Sequence, residues 1–202
     1  IRCKEAPLNM LLAMGLADDG SGYATGNVSF ISGIPASSGS VEDLAWASVD
    51  GTTGLESATG YDVAFGDFDG DGNRDMILGV PLADAGARVD VGQLRMVSDV
   101  ETALTGMGLD AETLTDFTVD GGYTNGVLGV LSIGVEDLDG DGVLEYVTCD
   151  DRFAYAYCAF AGSPAVRVVL RYDPAAGYVP ASPQFAGTYD DIVAQHRALA
   201  ER

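Results

Sequence analysis

The chain has 202 residues, 47% of them hydrophobic, and carries 31 acidic residues against 10 basic ones for a formal net charge of −21. That length suits one core of ordinary size, and that apolar fraction excludes a mostly disordered chain. The charge excludes nucleic acid as a partner and argues against anionic membrane surfaces, because phosphates are repelled on approach and no Lys/Arg cluster offsets the repulsion.

The sequence opens at Ile1 rather than Met, which fits a processed precursor or a cut fragment and a secreted or cell-surface location. Residues 1–40 form an N-terminal segment, a strand or an assembly arm. Within it the apolar stretch Leu8–Ala17 reads as a short helix and Asn27–Ile34 as a strand. Asn27-Val28-Ser29 is a glycosylation sequon, meaningful in a secreted chain. Ser37–Ser40 is a loop or boundary.

Residues 41–173 read as β-repeats. Short strands are expected at Leu44–Val49, Tyr61–Phe65, Met76–Val80 and Gln93–Val97, with Gly/Asp-rich turns between them. A short helix is expected within Val100–Met107. Strands resume at Val127–Val135, Leu144–Cys149, Ala154–Phe160 and Val166–Tyr172. The longest apolar run, Gly126–Val135, is about half of what a membrane helix needs, so no membrane insertion is expected. Cys3, Cys149 and Cys158 allow one disulfide; Cys149–Cys158 is favoured, because both read as lying on neighbouring strands of one hairpin, and three buried free thiols are the alternative.

Residues 174–202 form a Pro-rich connection and a short C-terminal helix. Thr188-Tyr189-Asp190-Asp191 has the capping-box spacing, and Ile192, His196 and Leu199 fall on one face.

The strongest chemical signal is Asp67-Phe68-Asp69-Gly70-Asp71-Gly72-Asn73-Arg74-Asp75, repeated as Asp137-Leu138-Asp139-Gly140-Asp141-Gly142-Val143-Leu144-Glu145. Both runs place acids at positions 1, 3, 5 and 9. Calcium takes six to eight oxygens, and carboxylates at alternate positions of a coiled loop converge on one point. Glycines at positions 4 and 6 let the backbone turn, and the carbonyl of Asn73 or Val143 adds an oxygen. Without a cation these carboxylates repel one another. An EF-hand is excluded: its loop ends in Glu at position 12, where this chain has Leu78 and Thr148, and helices flank it where these flanks are β-rich.

The stretch Gly60 to Gly72, followed by Asp75-Met76-Ile77-Leu78-Gly79-Val80-Pro81 and Gly92-Gln93-Leu94-Arg95-Met96-Val97, resembles one FG-GAP repeat of the integrin α-chain type. The second copy, Ile133 to Phe160, is similar to the related VCBS-like repeats of bacterial surface proteins but lacks the Gly-x-Pro element. The resemblance implies a mainly β fold of two or three propeller-blade-like antiparallel repeats with calcium loops. It implies two calcium ions, one held by Asp67, Asp69, Asp71, Asn73 and Asp75, the other by Asp137, Asp139, Asp141, Val143 and Glu145.

Propellers commonly use at least four blades, so either the repeats are built into another β architecture or, as the favoured reading, blades assemble through sheet edges into a homo-oligomer or filament or with another protein partner. The expected function is that of a secreted or surface structural or adhesion protein, not an enzyme. No Gly-x-Ser-x-Gly, His-Glu-x-x-His or Gly-x-x-x-x-Gly-Lys motif occurs, and His196 reads as a packing or surface residue. The alternatives are an accessory repeat domain of an extracellular enzyme and a carbohydrate-binding module. For the latter, Trp46, Phe153, Tyr155, Tyr157 and Phe160 would bind glycan, although alternation at 153, 155 and 157 equally suits one face of a strand.

Overall fold

The computed structural model describes residues 8–14, 17–18, 23–32, 38–51, 57–122, 124–130, 132–150, 166–190, 193–194 and 197–198. Within these the chain is mainly β and forms three four-stranded sheets, which we call blades 1 to 3. Cys3 and Cys158, and with Cys158 the expected Cys149–Cys158 disulfide, the strand expected at Ala154–Phe160 with its aromatic row, and the helix-face residues Ile192, His196 and Leu199 lie outside the described residues.

Blade 1 contains β1 (Leu8–Met14), β2 (Asn27–Ser32) and β3 (Ala45–Asp50) as an antiparallel meander. The segment read as a helix is therefore a strand. Leucine, methionine and alanine favour helix in isolation, but pairing of Leu8–Met14 along β2 supplies a ladder that outweighs this weak preference. A one-turn helix, α1 (Val41–Leu44), precedes β3 and is capped by the Ser40 hydroxyl, which accepts the Asp43 N–H.

Blade 2 contains β4 (Val63–Gly66), β5 (Asp75–Val80) and β6 (Gln93–Val97). The helix expected after β6 is the single turn α2 (Val100–Ala103). Next comes β7 (Leu109–Asp110), which leaves blade 2 and pairs in parallel with β3, completing blade 1. Another single turn, α3 (Ala111–Leu114), leads to β8 (Phe117–Asp120), the fourth strand of blade 2.

Blade 3 is a continuous meander of β9 (Ser132–Glu136), β10 (Glu145–Asp150), β11 (Val166–Asp173) and β12 (Gly177–Pro180). Strand β12 falls within the segment expected to be a Pro-rich connection; Pro180 ends this edge strand, where a missing N–H costs nothing. The residues after it form a 3-10 segment, Ser182–Tyr189, followed by helical backbone at Asp190, 193–194 and 197–198.

The blades pack face to face. All six residues of β5 are buried, because this strand is covered on both sides. Its Met76, Leu78 and Val80 join Val28, Phe30, Ala47 and Val49 of blade 1 in one core, while Ile77 joins Leu94, Met96, Tyr146 and Leu170 in a second core against blade 3. Burying each such side chain contributes about 1.5–3 kcal/mol. A row of edge-to-face rings, Phe68–Tyr178, Tyr178–Tyr172 and Tyr172–Phe117, runs along the second core at centroid spacings of 6.0, 5.8 and 5.8 Å. On the other side of blade 3, Val169 packs with Ala181, Phe185 and Leu138, so the 3-10 segment lies over that face. The Ser182 hydroxyl accepts the Val169 N–H there, and the Tyr189 hydroxyl donates to the Arg167 carbonyl.

Gly79, in the Gly-x-Pro element, has a physical reason to be glycine. A β-carbon there would stand 2.4 Å from the Gly129 carbonyl oxygen, a backbone atom that cannot rotate away. Gly79→Ala is expected to cost about 1–3 kcal/mol, read as a lower urea midpoint with an unchanged slope.

Candidate metal centres

Each acidic run is a hairpin loop. The first is closed by the pair Gly66 and Asp75 between β4 and β5, the second by Glu136 and Glu145 between β9 and β10. The flanks are strands on both sides, as the sequence indicates. Glycines at positions 4 and 6 all have left-handed backbone, with φ of 79° and 87° at Gly70 and Gly72 and of 78° and 90° at Gly140 and Gly142.

The loops fold around their own carboxylates. Asp67 accepts N–H groups from Gly70 (2.8 Å) and Gly72 (2.9 Å), and Asp137 accepts the equivalent ones from Gly140 (2.7 Å) and Gly142 (3.1 Å). Asp69 and Asp139 each accept from the residue two further on, Asp71 and Asp141. Asp71 accepts the Asn73 backbone N–H and side-chain amide, and Asp141 accepts the Val143 N–H. These bonds aim the carboxylates inward. One oxygen from each of Asp67, Asp69 and Asp71 lies within 4.8 Å of the others, and the same holds for Asp137, Asp139 and Glu145.

Position 9 has a role that spacing alone does not reveal. Asp75 is 1% exposed and accepts N–H groups from Phe68 (2.8 Å) and Asp99 (3.1 Å). Glu145 is fully buried, and its Oε2 accepts the Leu138 N–H (2.8 Å). The position-9 carboxylate thus clamps the backbone of position 2, whose side chain is apolar in both loops. Phe68 is fully buried in the core between blades 2 and 3, and Leu138 packs beside Val169 and Phe185. An apolar residue amid acids is the sequence signal that marks this anchor.

The two loops also touch. A β-carbon on Gly66 would lie 2.3 Å from Leu144 Cδ1, and one on Gly70 would lie 3.3 Å from Val143 Cγ2. Both loops therefore sit at the junction of blades 2 and 3. A surface cavity of about 520 Å³, lined by Asp67, Asn73, Arg74, Asp99 and Glu101 among others, opens beside the first loop.

The donor set suits a hard divalent cation, since every converging atom is a carboxylate oxygen. One further observation fits: among the described residues Glu145 Oε1 is buried without a hydrogen-bond partner, with Arg171 Nε 3.9 Å away, and a buried carboxylate oxygen in that state is costly unless a cation faces it.

Burial holds the Asp75 carboxyl up at about 6, against the opposing pull of the Phe68 and Asp99 N–H groups, and burial likewise raises Glu145. For Asp75 the folded value lies above the unfolded one. Its contribution to metal-free stability is therefore full below about pH 4 and is lost as pH rises through about 6. Cation binding runs the other way, because its ligands must be ionised. Burial also raises the carboxyl of Asp69, one of the converging groups, so calcium affinity at the first loop is expected to weaken as the pH falls, checked by titrations at pH 7.5 and 5.0.

Other sequence candidates have structural partners. Trp46 packs on the core between blades 1 and 2, its ring centroid 6.2 Å from that of Phe30. The Asn27 side chain donates to Asp50 and accepts from the Ser29 hydroxyl at 2.7 Å, tying β2 to β3.

Three stacked four-stranded blades, two of them headed by matching acidic hairpin loops, define a β-repeat protein of propeller-blade type. Residues 59–94, spanning β4, the first loop and β5 into β6, match the family model of the FG-GAP repeat, a repeat typical of extracellular or surface proteins. The second loop lies outside the matched residues. No curated protein matches the chain at a significant level. No helix among the described residues is long and apolar enough to cross a membrane.

Proposed function

We propose that this chain is a secreted or cell-surface calcium-stabilised repeat protein, structural or adhesive rather than catalytic. The observation that carries this reading is the pair of hairpin loops in which backbone N–H groups pre-aim three carboxylates at one point, those of positions 1, 3 and 5 in the first loop and of positions 1, 3 and 9 in the second. The first loop would hold an ion through Asp67, Asp69 and Asp71, with Asn73 and Asp75 at its margin. The second would do so through Asp137, Asp139 and Glu145, with Asp141 and Val143 alongside. The ion supplies charge neutralisation, and the chain supplies the turn, the anchor and the blade junction.

A binding role follows from what the acids are already doing. The clustered carboxylates are engaged as hydrogen-bond acceptors within their own loops, which suits ligation better than proton transfer. The described residues form three blades, fewer than the four or more that close a propeller. Completion of a ring, or association through exposed strand edges with a second copy or another protein, accounts for the open arrangement. The test is a calorimetric calcium titration joined to sedimentation. Two ions per chain and calcium-dependent association support this reading. Absence of binding at millimolar calcium overturns the metal part, and a compact monomer at all concentrations overturns the assembly part.

A further inference from the structure

The two loops differ in one respect that their sequences conceal. Continuing the register of β5 and β6 by one residue past Met76 and Val97 sets Asp75 opposite Ser98, and the next residue, Asp99, gives its N–H to the second oxygen of Asp75. Continuing β10 and β11 past Tyr146 and Leu170 sets Glu145 opposite Arg171. Among the described residues no N–H meets the second oxygen of Glu145. The Arg171 guanidinium lies there instead, with Nη1 3.1 Å from Asp139, Nη2 paired with Asp141, and Nε 3.9 Å from Glu145 Oε1. Asp139 and Glu145 are two of the three residues whose oxygens converge in this loop. At the first loop the nearby arginine, Arg74, turns away to Glu101 at 3.8 Å.

We propose that Arg171 is a built-in competitor for the cation at the second loop, an inference that rests on the calcium reading above. A guanidinium and a divalent ion cannot both occupy the inward side of Asp139 and Glu145, because each neutralises the same oxygens and they repel one another. In the metal-free chain Arg171 offsets the repulsion among Asp139, Asp141 and Glu145. Calcium enters by displacing it, and its side chain, one-third exposed, has solvent to move into. Among the described residues the first loop has no such occupant, so it fills at low calcium and the second fills only at higher calcium. The pair thereby covers a wider concentration range than two identical sites.

The experiment is calcium calorimetry on the full chain as wild type, Arg171→Gln and Arg171→Lys, each also carrying Asp69→Asn to silence the first loop. The wild type is expected to show two classes of site, and Asp69→Asn to remove the tighter. Arg171→Gln should tighten the weaker class by about tenfold or more while lowering the metal-free melting temperature; Arg171→Lys should fall between. A weaker class that is unchanged or lost in a folded Arg171→Gln protein overturns the proposal, since Arg171 would then support the loop rather than contest it. The wild type gives an independent reading through the Arg171 Nε–H resonance. Faster solvent exchange on saturation with calcium supports displacement, and unchanged exchange overturns it. If no variant binds calcium, both this inference and the calcium reading fail; binding with equal affinities in wild type and Arg171→Gln sinks this inference alone.

Discussion

Phe68→Ala is expected to lower stability by about 3–5 kcal/mol and the melting temperature by about 10 °C. Phe68 is fully buried and reaches from the first acidic loop into the core shared by Ile77, Leu94, Met96, Tyr146 and Leu170, with the Tyr178 ring at 6.0 Å. Truncation leaves a cavity between two blades that strand backbones cannot collapse to fill. Its N–H also satisfies buried Asp75, so a displaced backbone would strand that carboxylate. The substitution should therefore weaken calcium binding at the first loop although it removes no oxygen. Leu138→Ala, at the equivalent but partly buried position, is the internal comparison and should cost less. Equal and small effects of the two would show that position 2 is not the anchor.

Removing calcium should have the next largest effect. Extracellular calcium modules have dissociation constants of about 10⁻⁴ to 10⁻³ M. With the ion at about ten times that constant, each site adds about 1.4 kcal/mol, and two add about 3 kcal/mol. A chelator should then lower the melting temperature by about 5–10 °C, and Asp69→Ala should abolish roughly half of that response. Asp69 is the informative choice because it contributes an oxygen to the converging set and accepts the Asp71 N–H without holding either glycine N–H of the turn. Asp67→Ala would confound ligand loss with collapse of the turn, since Asp67 holds both Gly70 and Gly72. An unchanged melting temperature on chelation in both proteins would sink the metal reading.

Much of this architecture is legible in the residues because local chemistry dictates it. Alternate acids with glycines at positions 4 and 6 demand a coiled turn, and the apolar runs on either side demand strands, so β4, β5 and β10 fall within two residues of expectation, while β9 ends as expected but starts at Ser132 rather than Val127. What escapes is decided by distant partners. Leu8–Met14 carries helix-forming residues and becomes a strand through its pairing with β2. Strand β7 is two residues long and exists through a parallel pairing with β3, some sixty residues earlier in the chain. Strand β8 alternates Phe117, Thr118, Val119 and Asp120 with the expected period of two, a pattern within reach of sequence reading but not drawn from it. At the site, the acid positions are visible in sequence while their division of labour is not. Nothing local distinguishes an inward ligand such as Asp69 from the clamp at Asp75, or reveals that Arg171 comes back across the sheet to the second loop.

The 3-10 segment over the outward face of blade 3 sets a direction for any stacking of blades. Phe185 and Ala181 occupy the apolar ground around Val169 that a neighbouring blade would need, and Ser182 and Tyr189 fasten the segment to β11. On this side the pile carries its own stopper. Any blade added on this side would first have to displace the 3-10 segment Ser182–Tyr189, which buries Phe185 beside Val169 of β11.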